Sequence, residues 1–245
     1  LTVTGITAAN RVYDATTDAT ALLDKTAAAL SGVVAGDTVT MDHTSATASF
    51  GDKTIGVGKT VSVSGITIGG ADAGNYALSQ PSTTADVTAK TLTVTGITAT
   101  NKTYNASTVA TLNTGSAAFI GVESGDTVTI GVGSATGAFA DKTIGSGKTV
   151  QVSGVTKSGA DAGNYTITQP TTTANISAKT LTVTGITATN KTYNASTVAT
   201  LNTGSAAFIG VESGDTVTIG VGSATGAFAD KTIGSGKTVQ VSGVT

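Results

Sequence analysis

Apolar and polar positions alternate with period two along nearly the whole chain. Leu92 and Val94 alternate with Thr93 and Thr95, and Val128, Ile130 and Val132 with Thr129 and Gly131. Val150 and Val152 alternate with Gln151 and Ser153, and Tyr165 and Ile167 with Thr166 and Thr168. Such alternation turns one face of a strand to a core and the other, here rich in threonine, to water. Turn clusters separate the runs: Ser124-Gly125-Asp126, Gly145-Ser146-Gly147-Lys148 and Asp161-Ala162-Gly163-Asn164. Gly and Asn tolerate the positive φ that tight turns demand. The only helix-like stretches, Ala27-Ala28-Ala29-Leu30 and its counterpart Ala117-Ala118-Phe119-Ile120, read as strand or loop. Roughly six to eight short strands per repeat predict an all-β chain built of small antiparallel β-sandwich modules, Ig-like in the broad sense.

The pattern also copies itself. Residues 91–156 are identical to residues 180–245, and Leu1 to Gln80 is a diverged version of the same text. We therefore divide the chain into modules at 1–90, 91–179 and 180–245. A period of about 90 residues is too long for a solenoid repeat and suits a small domain, so the expectation is a tandem, elongated array of beads on a string. The third copy stops at Thr245, whereas the second continues past Thr156 with Lys157-Ser158-Gly159, the Asp161–Tyr165 turn and strands around Ile167 and Ile176. Either a continuation or a strand from a neighbouring molecule is expected to complete it, since an unpaired edge invites pairing.

At each module boundary the buried parity flips. Ala85, Val87 and Ala89 are odd-numbered while Leu92 and Val94 are even, and Ala174, Ile176 and Ala178 give way to Leu181 and Val183. An extended segment that exchanges its buried face can serve one core and then the next. No Gly or Pro interrupts Thr171 to Thr184, so the joint is expected to be stiff and unlike a flexible linker.

Composition narrows the function. Charged residues make up 11% of the chain, with 13 basic against 15 acidic and a net charge of −2, which argues against nucleic acid and anionic membrane partners. Cysteine is absent, excluding disulfides and thiolate sites, and no apolar run is long enough for a membrane helix. Several phrases carry a family resemblance: Tyr13-Asp14-Ala15-Thr16, Gly36-Asp37, Phe50-Gly51-Asp52-Lys53 followed by Gly56, Gly58-Lys59 and Val61, and Gly70-Ala71-Asp72-Ala73-Gly74-Asn75-Tyr76. Across essentially its whole length the chain resembles the YDG-type repeat, related to MBG-type repeats, of very large bacterial surface proteins of the filamentous-haemagglutinin-like and adhesin kind. The family's Tyr-Asp-Gly is Tyr13-Asp14-Ala15 here and Tyr104-Asn105-Ala106 in the second copy. The resemblance implies an exported, cell-surface or matrix protein whose repeats form a stalk or fibre.

No catalytic, cofactor-binding or metal site is expected. His43 is the only histidine and its counterpart is Val132, and glutamate occurs only as Glu123 and Glu212, too few for paired-carboxylate chemistry in each repeat. Calcium is a natural question for Asp126, Asp141 and Asp161, which match Asp37, Asp52 and Asp72. They sit singly in turns, however, and Asx-turn capping accounts for them. Gly145-Ser146-Gly147-Lys148 lacks the spacing and following helix of a phosphate loop and reads as a hairpin turn, with Lys59 and Lys148 as solvated charges. Asn101, Asn105, Asn164 and Asn175 open sequons that a threonine-rich chain forms by chance. The tyrosines Tyr13, Tyr76, Tyr104, Tyr165 and Tyr193 are expected to pack at sandwich corners with hydroxyls on backbone. A Lys–Asn crosslink would need a buried acid beside the pair.

The expectation is a non-enzymatic, cofactor-free structural segment of an extracellular bacterial adhesin or surface filament, giving length and stiffness. Its partners would be neighbouring modules, identical chains in a fibre, or host and matrix glycans bound by regions outside it. Two alternatives stand beside it: a self-assembling filament or matrix protein with intermolecular strand pairing, and weak multivalent glycan- or mucin-binding modules.

Overall fold

The structure, a computed structural model, describes residues 1–245. It is all-β, with helix confined to single 3-10 turns at Thr20–Leu22, Ala73–Asn75 and Ala162–Asn164. Two compact units form. The first comprises Leu1–Thr98, Thr111–Gly137 and Gln151–Thr172, and the second Ala99–Ala110, Ala138–Val150 and Thr173–Thr245. The first unit thus holds all of the first repeat together with parts of the second.

In the first unit the main sheet has the order Arg11–Val12, Ser82–Thr88, Gly56–Ser64, Thr47–Phe50. Ser82–Thr88 runs antiparallel to Gly56–Ser64, with a shift of register between Ala85 and Val87. The bulge falls at Gly58, whose φ of 60° lets its N–H reach the Asp86 carboxylate at 2.7 Å. After the single residue Ala89 the chain re-enters a sheet as Lys90–Thr95. Ala85 and Val87 are buried before that point, Leu92 and Val94 after it, so the flip of buried face predicted from parity is observed at this boundary; at the next, Ala174 and Ile176 are buried but Val183 is 38% exposed.

Lys90–Thr95 lies between Ala118–Ile120, which is antiparallel, and Tyr165–Ile167, which is parallel. Arg11–Val12 likewise pairs parallel to Val87–Thr88. These pairs depart from the purely antiparallel sandwich expected from alternation. Alternation reports which face is buried and is blind to strand direction, while parallel pairing requires a long crossover. Here the crossover is a whole repeat: Thr91 and Thr166, side by side, are 75 positions apart.

The core follows the same plan. One cluster of buried residues gathers Tyr13, Phe50, Val61, Val63, Ile66 and Val87 of the first repeat with Leu92 and Tyr165 of the second, and Phe119, Val122, Val128 and Ile167 pack against it. Beads on a string would give each repeat its own core; here the apolar cluster runs through the repeat boundary. Val94, Ile97, Val152 and Val155 form a second, smaller cluster. In the second unit Lys102–Thr103 pairs parallel to Ile176–Ser177. Thr182–Thr184 pairs with Ala207–Ile209, and Thr225–Phe228 lies between Val198–Ala199 and Val239–Ser242.

Threonine-rich turns follow one device. Asp24, Asp42, Asp52, Asp141 and Asp230 each accept the backbone N–H of the threonine two residues on, at 2.8–2.9 Å. At Asp52 and Asp141 this is the Asx turn expected from the sequence. Asp72, Asp126 and Asp161, expected to cap their own turns, instead accept partners far along the chain: the Thr38 N–H, side chains of Tyr13, Lys53 and Tyr165, and the Thr127 N–H. Two further expectations need correction. Gly145-Ser146-Gly147-Lys148 is no hairpin: it opens the nine-residue strand Gly145–Ser153, with Gly147 (φ 60°) donating its N–H to the Asn175 side chain at 2.7 Å. Lys59 and Lys148 are not freely solvated, because each is folded onto the carboxylate of Asp52 or Asp141 at 2.5 Å. Those contacts, the lysine ammonium first, hold both carboxylates down at about 2.

Backbone conformation shows where the departure from Tyr-Asp-Gly is strained. Ala15, Ala106 and Ala195 all have φ near 60°, the left-handed region that favours glycine. Ala195 is exposed, so Ala195→Gly relieves strain without losing packing and should stabilise the chain by about 0.5–1 kcal/mol. Gly96→Ala should do the opposite. At φ 76° its new Cβ would overlap the Ser116 carbonyl, and a loss of about 2–4 kcal/mol is expected. Urea denaturation of both variants checks the pair, and equal signs would contradict it.

Candidate functional site

The phrases that carry the family resemblance meet in space. Tyr13 follows the short strand Arg11–Val12, its N–H anchored on the Thr88 carbonyl at 2.8 Å. Lys53 stands in the turn after Phe50. Both reach across the repeat boundary to Asp126, whose turn closes through its own N–H on the Glu123 carbonyl at 3.2 Å. The Tyr13 hydroxyl donates to Oδ2 of Asp126 at 2.7 Å, and Lys53 Nζ lies 2.5 Å from Oδ1. Tyr165, placed by the 3-10 turn Ala162–Asn164, donates its hydroxyl to the same Oδ2 at 2.7 Å. That hydroxyl also accepts the Glu123 N–H at 2.9 Å.

Packing closes the constellation. The rings of Tyr13 and Tyr165 meet edge to face, centroids 5.4 Å apart and planes at 76°. Both tyrosines are fully buried, and the Asp126 side chain has 0% exposure while Lys53 keeps 37%. Asn164, the one buried polar residue of the core, accepts the Ile55 N–H at 3.2 Å. Asp161 lies 3.4 Å from Lys53 and accepts the Thr127 N–H at 2.9 Å. Tyr13 and Lys53 thus come from the first repeat, and Asp126, Asp161, Asn164 and Tyr165 from the second.

Electrostatics follow from these contacts. Burial works to raise the Asp126 carboxyl, but hydrogen bonds from Lys53, Tyr13 and Tyr165 outweigh it and hold the group below its ordinary range. Burial pushes Tyr165 up to about 12 and raises Tyr13, the Asp126 anion adding to both. The Lys53 ammonium is stabilised chiefly by Asp126. The site is a closed joint in which one ammonium lies against two carboxylates.

The second unit repeats the geometry in part. Tyr104 donates to Oδ2 of Asp215 at 2.5 Å and Lys142 to Oδ1 at 2.8 Å, with the ammonium 6.0 Å from the Tyr104 ring. In the first repeat Tyr76 bonds the Asp37 carboxylate and accepts the Val34 N–H at 3.0 Å.

Other residues singled out in the sequence fall elsewhere. His43 is half-buried in the turn after Thr40–Asp42, its carbonyl accepting Lys25 Nζ at 3.0 Å. Glu123 and Glu212 pair with Lys90 and Lys179. No group of three or more His, Cys, Asp or Glu side chains converges. The cation shared by Asp126 and Asp161 is the Lys53 ammonium. Of the sequon asparagines, Asn164 is enclosed, and Asn101, Asn105 and Asn175 accept backbone N–H groups at 2.8, 3.3 and 2.7 Å. The tyrosine hydroxyls were expected on backbone; those of Tyr13, Tyr76, Tyr104 and Tyr165 donate to a carboxylate instead, for Tyr13 and Tyr104 one in the following repeat. Sequence reasoning missed the convergence itself. Its only trace was that Tyr13, Asp52-Lys53, Gly-Asp and Asn-Tyr all belong to the phrases shared with one family.

Two outcomes test the joint. Asp126→Ala leaves two buried hydroxyls and an ammonium without their acceptor, and should cost about 2–3 kcal/mol. Asp215→Ala, whose partners are fewer and wetter, should cost less, and denaturant unfolding of the two variants measures the order. Tyrosine linkage gives an alkaline limit. A folded pKa raised above the unfolded value of about 10 contributes stability fully present below that pH and lost as pH climbs towards about 12. Thermal unfolding between pH 9 and 12, about the tyrosine range, should therefore show a fall that Tyr165→Phe blunts.

Comparison with known proteins gives a family. The model of the YDG domain matches the chain three times, over residues 1–85, 88–174 and 177–245. No curated protein and no solved structure matches. With three YDG domain matches covering nearly its whole length, the chain belongs to the YDG domain family.

Proposed function

We propose that this chain is a structural, non-enzymatic segment of an extracellular bacterial adhesin or surface fibre, in which repeats transmit load from one to the next. The observation that carries this reading is the destination of the motif residues. Tyr13, Lys53, Asp126, Asn164 and Tyr165 close a buried joint between repeats. A protein that spends its distinctive side chains on joining copies of itself is built for continuity along the chain. Each repeat is a small β-sandwich block in this reading, supported by strands such as Gly56–Ser64 whose inner end alternates buried Val61 and Val63 with exposed threonine and serine.

Force spectroscopy on the tethered chain tests the mechanical claim. Wild type should yield with the first and second repeats coupled, and the double variant Y13F/K53A should separate that step into smaller independent ones. Independent unfolding already in wild type would refute load transfer across the joint. Antibody labelling and protease shaving of intact cells test the location, which a purely internal pool would contradict.

A further inference from the structure

The ion pair at the joint also places an amine nitrogen beside a carboxyl carbon. Lys53 Nζ lies 2.5 Å from Oδ1 of Asp126 and 3.4 Å from Oδ1 of Asp161. Asp161 turns its other oxygen to the Thr127 N–H, which leaves Oδ1 facing the lysine. The far oxygen of Asp126, Oδ2, is held by the hydroxyls of Tyr13 and Tyr165, each at 2.7 Å. All of these side chains belong to the first unit, and the Asp126 carboxylate is shut off from solvent.

Distance alone does not single this pair out. Lys59 and Lys148 lie equally close to Asp52 and Asp141, but those aspartates are open to water and their other partners are threonines of the same turn. Asp126 differs in three respects. It is buried, its far oxygen carries two hydroxyl donors, and a second carboxylate stands against the same ammonium. A buried ion pair is costly to keep, and an uncharged product in its place removes that cost. A lysine crosslink needs an acid beside the reacting pair, and Asp161 supplies one.

We propose that Lys53 and Asp126 are the site of a self-catalysed amide bond, an isopeptide link that ties the first repeat to the second. The Lys53 ammonium first hands a proton to Oδ1 of Asp126 along the existing contact, leaving a neutral amine beside a neutral carboxyl. Ion pairing opposes this transfer and the exclusion of water favours it. It need happen only rarely, because the amide that follows does not revert. The amine lone pair attacks Cγ, held within reach by the fold. Negative charge then develops on Oδ2, the atom already facing both tyrosine hydroxyls, which act as an oxyanion hole. The Asp161 carboxylate takes a second proton from the nitrogen and passes it to Oδ1. The Cγ–Oδ1 bond breaks and Oδ1 leaves as water, by way of the partly open lysine side of the site. Ammonium and carboxylate thus become amide and water, Asp161 ends as it began, and no other reactant enters. The new carbonyl oxygen keeps both tyrosine hydrogen bonds.

The test is peptide mapping by mass spectrometry of the full 245-residue chain, purified folded and digested after denaturation. The peptides containing Lys53 and Asp126 should be recovered as one branched species, one water lighter than their sum, with no tryptic cleavage after Lys53. Asp161→Asn should slow its formation at least about a hundredfold. Lys53→Arg should abolish it while keeping a positive charge beside Asp126. Separate linear peptides with an unmodified Lys53, after long incubation of the folded wild type at neutral pH, would overturn the proposal, and that result requires no variant to fold. So would a branched species lighter by ammonia, which puts the bond on an asparagine, or crosslinking of Asp161→Asn as fast as wild type. The readout is independent of where the chain resides and of whether it bears load.

Discussion

A buried carboxylate governs this architecture. Taking an aspartate out of water costs several kcal/mol unless its lone pairs are met, and the cost grows where the surroundings are apolar. Asp126 meets that cost with three donors: the Tyr13 hydroxyl, the Lys53 ammonium and the Tyr165 hydroxyl. Two of the three come from the preceding repeat. The second repeat therefore cannot satisfy its own charge, and its most costly group is solvated by its neighbour. Repeat arrays have a stability that is a sum of intrinsic and nearest-neighbour terms, and here the neighbour term includes a charge as well as apolar contact. Leu92 and Tyr165, lying in one cluster with Phe50 and Val61, supply the apolar part.

Because two segments share one sequence, the weight of local against distant interactions can be read directly. Gly145–Ser153 is a nine-residue strand, whereas its exact copy is a strand only over Val239–Ser242. Val94 is 7% exposed and its copy Val183 38%. Tyr193, the third-repeat counterpart of the enclosed Tyr13, is 58% exposed. Nothing in local propensity differs between these pairs, since the residues are the same. What differs is the presence alongside of Tyr165–Ile167, 75 positions from the residues it pairs with, and of a strand of the Ser82–Thr88 type, about 20–30 positions from its partner. The β-propensity of Thr and Val makes a strand possible, and a distant partner makes it form.

This separation also marks what was legible in the chain. Period-two alternation located the buried faces of Val150 and Val152, and the parity change around Ala89 located the exchange of face at the repeat boundary. The Asx turns of Asp52 and Asp141 were readable because such a turn is closed within three residues, whereas Asp126 and Asp161 bind partners far along the chain and were misread as the same device. Strand direction was not readable: an alternating pattern is unchanged when the strand is reversed, so the parallel returns of Tyr165–Ile167 and Ile176–Ser177 left no mark in it. The Gly145–Lys148 stretch was misplaced for a related reason, since a glycine at positive φ can sit inside a strand as well as in a hairpin turn. The joint escaped because Tyr13 and Asp126 are 113 positions apart, and each on its own is an ordinary tyrosine or turn aspartate.

The joint has a polarity that bears on how such chains grow. Each repeat presents tyrosine and lysine donors from one set of turns and an aspartate acceptor from another, so its two halves are complementary but not alike. Tyr13 and Lys53 meet Asp126, and Tyr104 and Lys142 meet Asp215, by the same atoms. A head-to-tail contact of this kind is heterologous: it does not close on itself as a two-fold contact would, and it can be repeated. A repeat carrying both halves can follow any other without new chemistry, which makes tandem duplication of an unaltered segment structurally neutral. Residues 91–156 and 180–245, identical throughout, are what such neutrality permits.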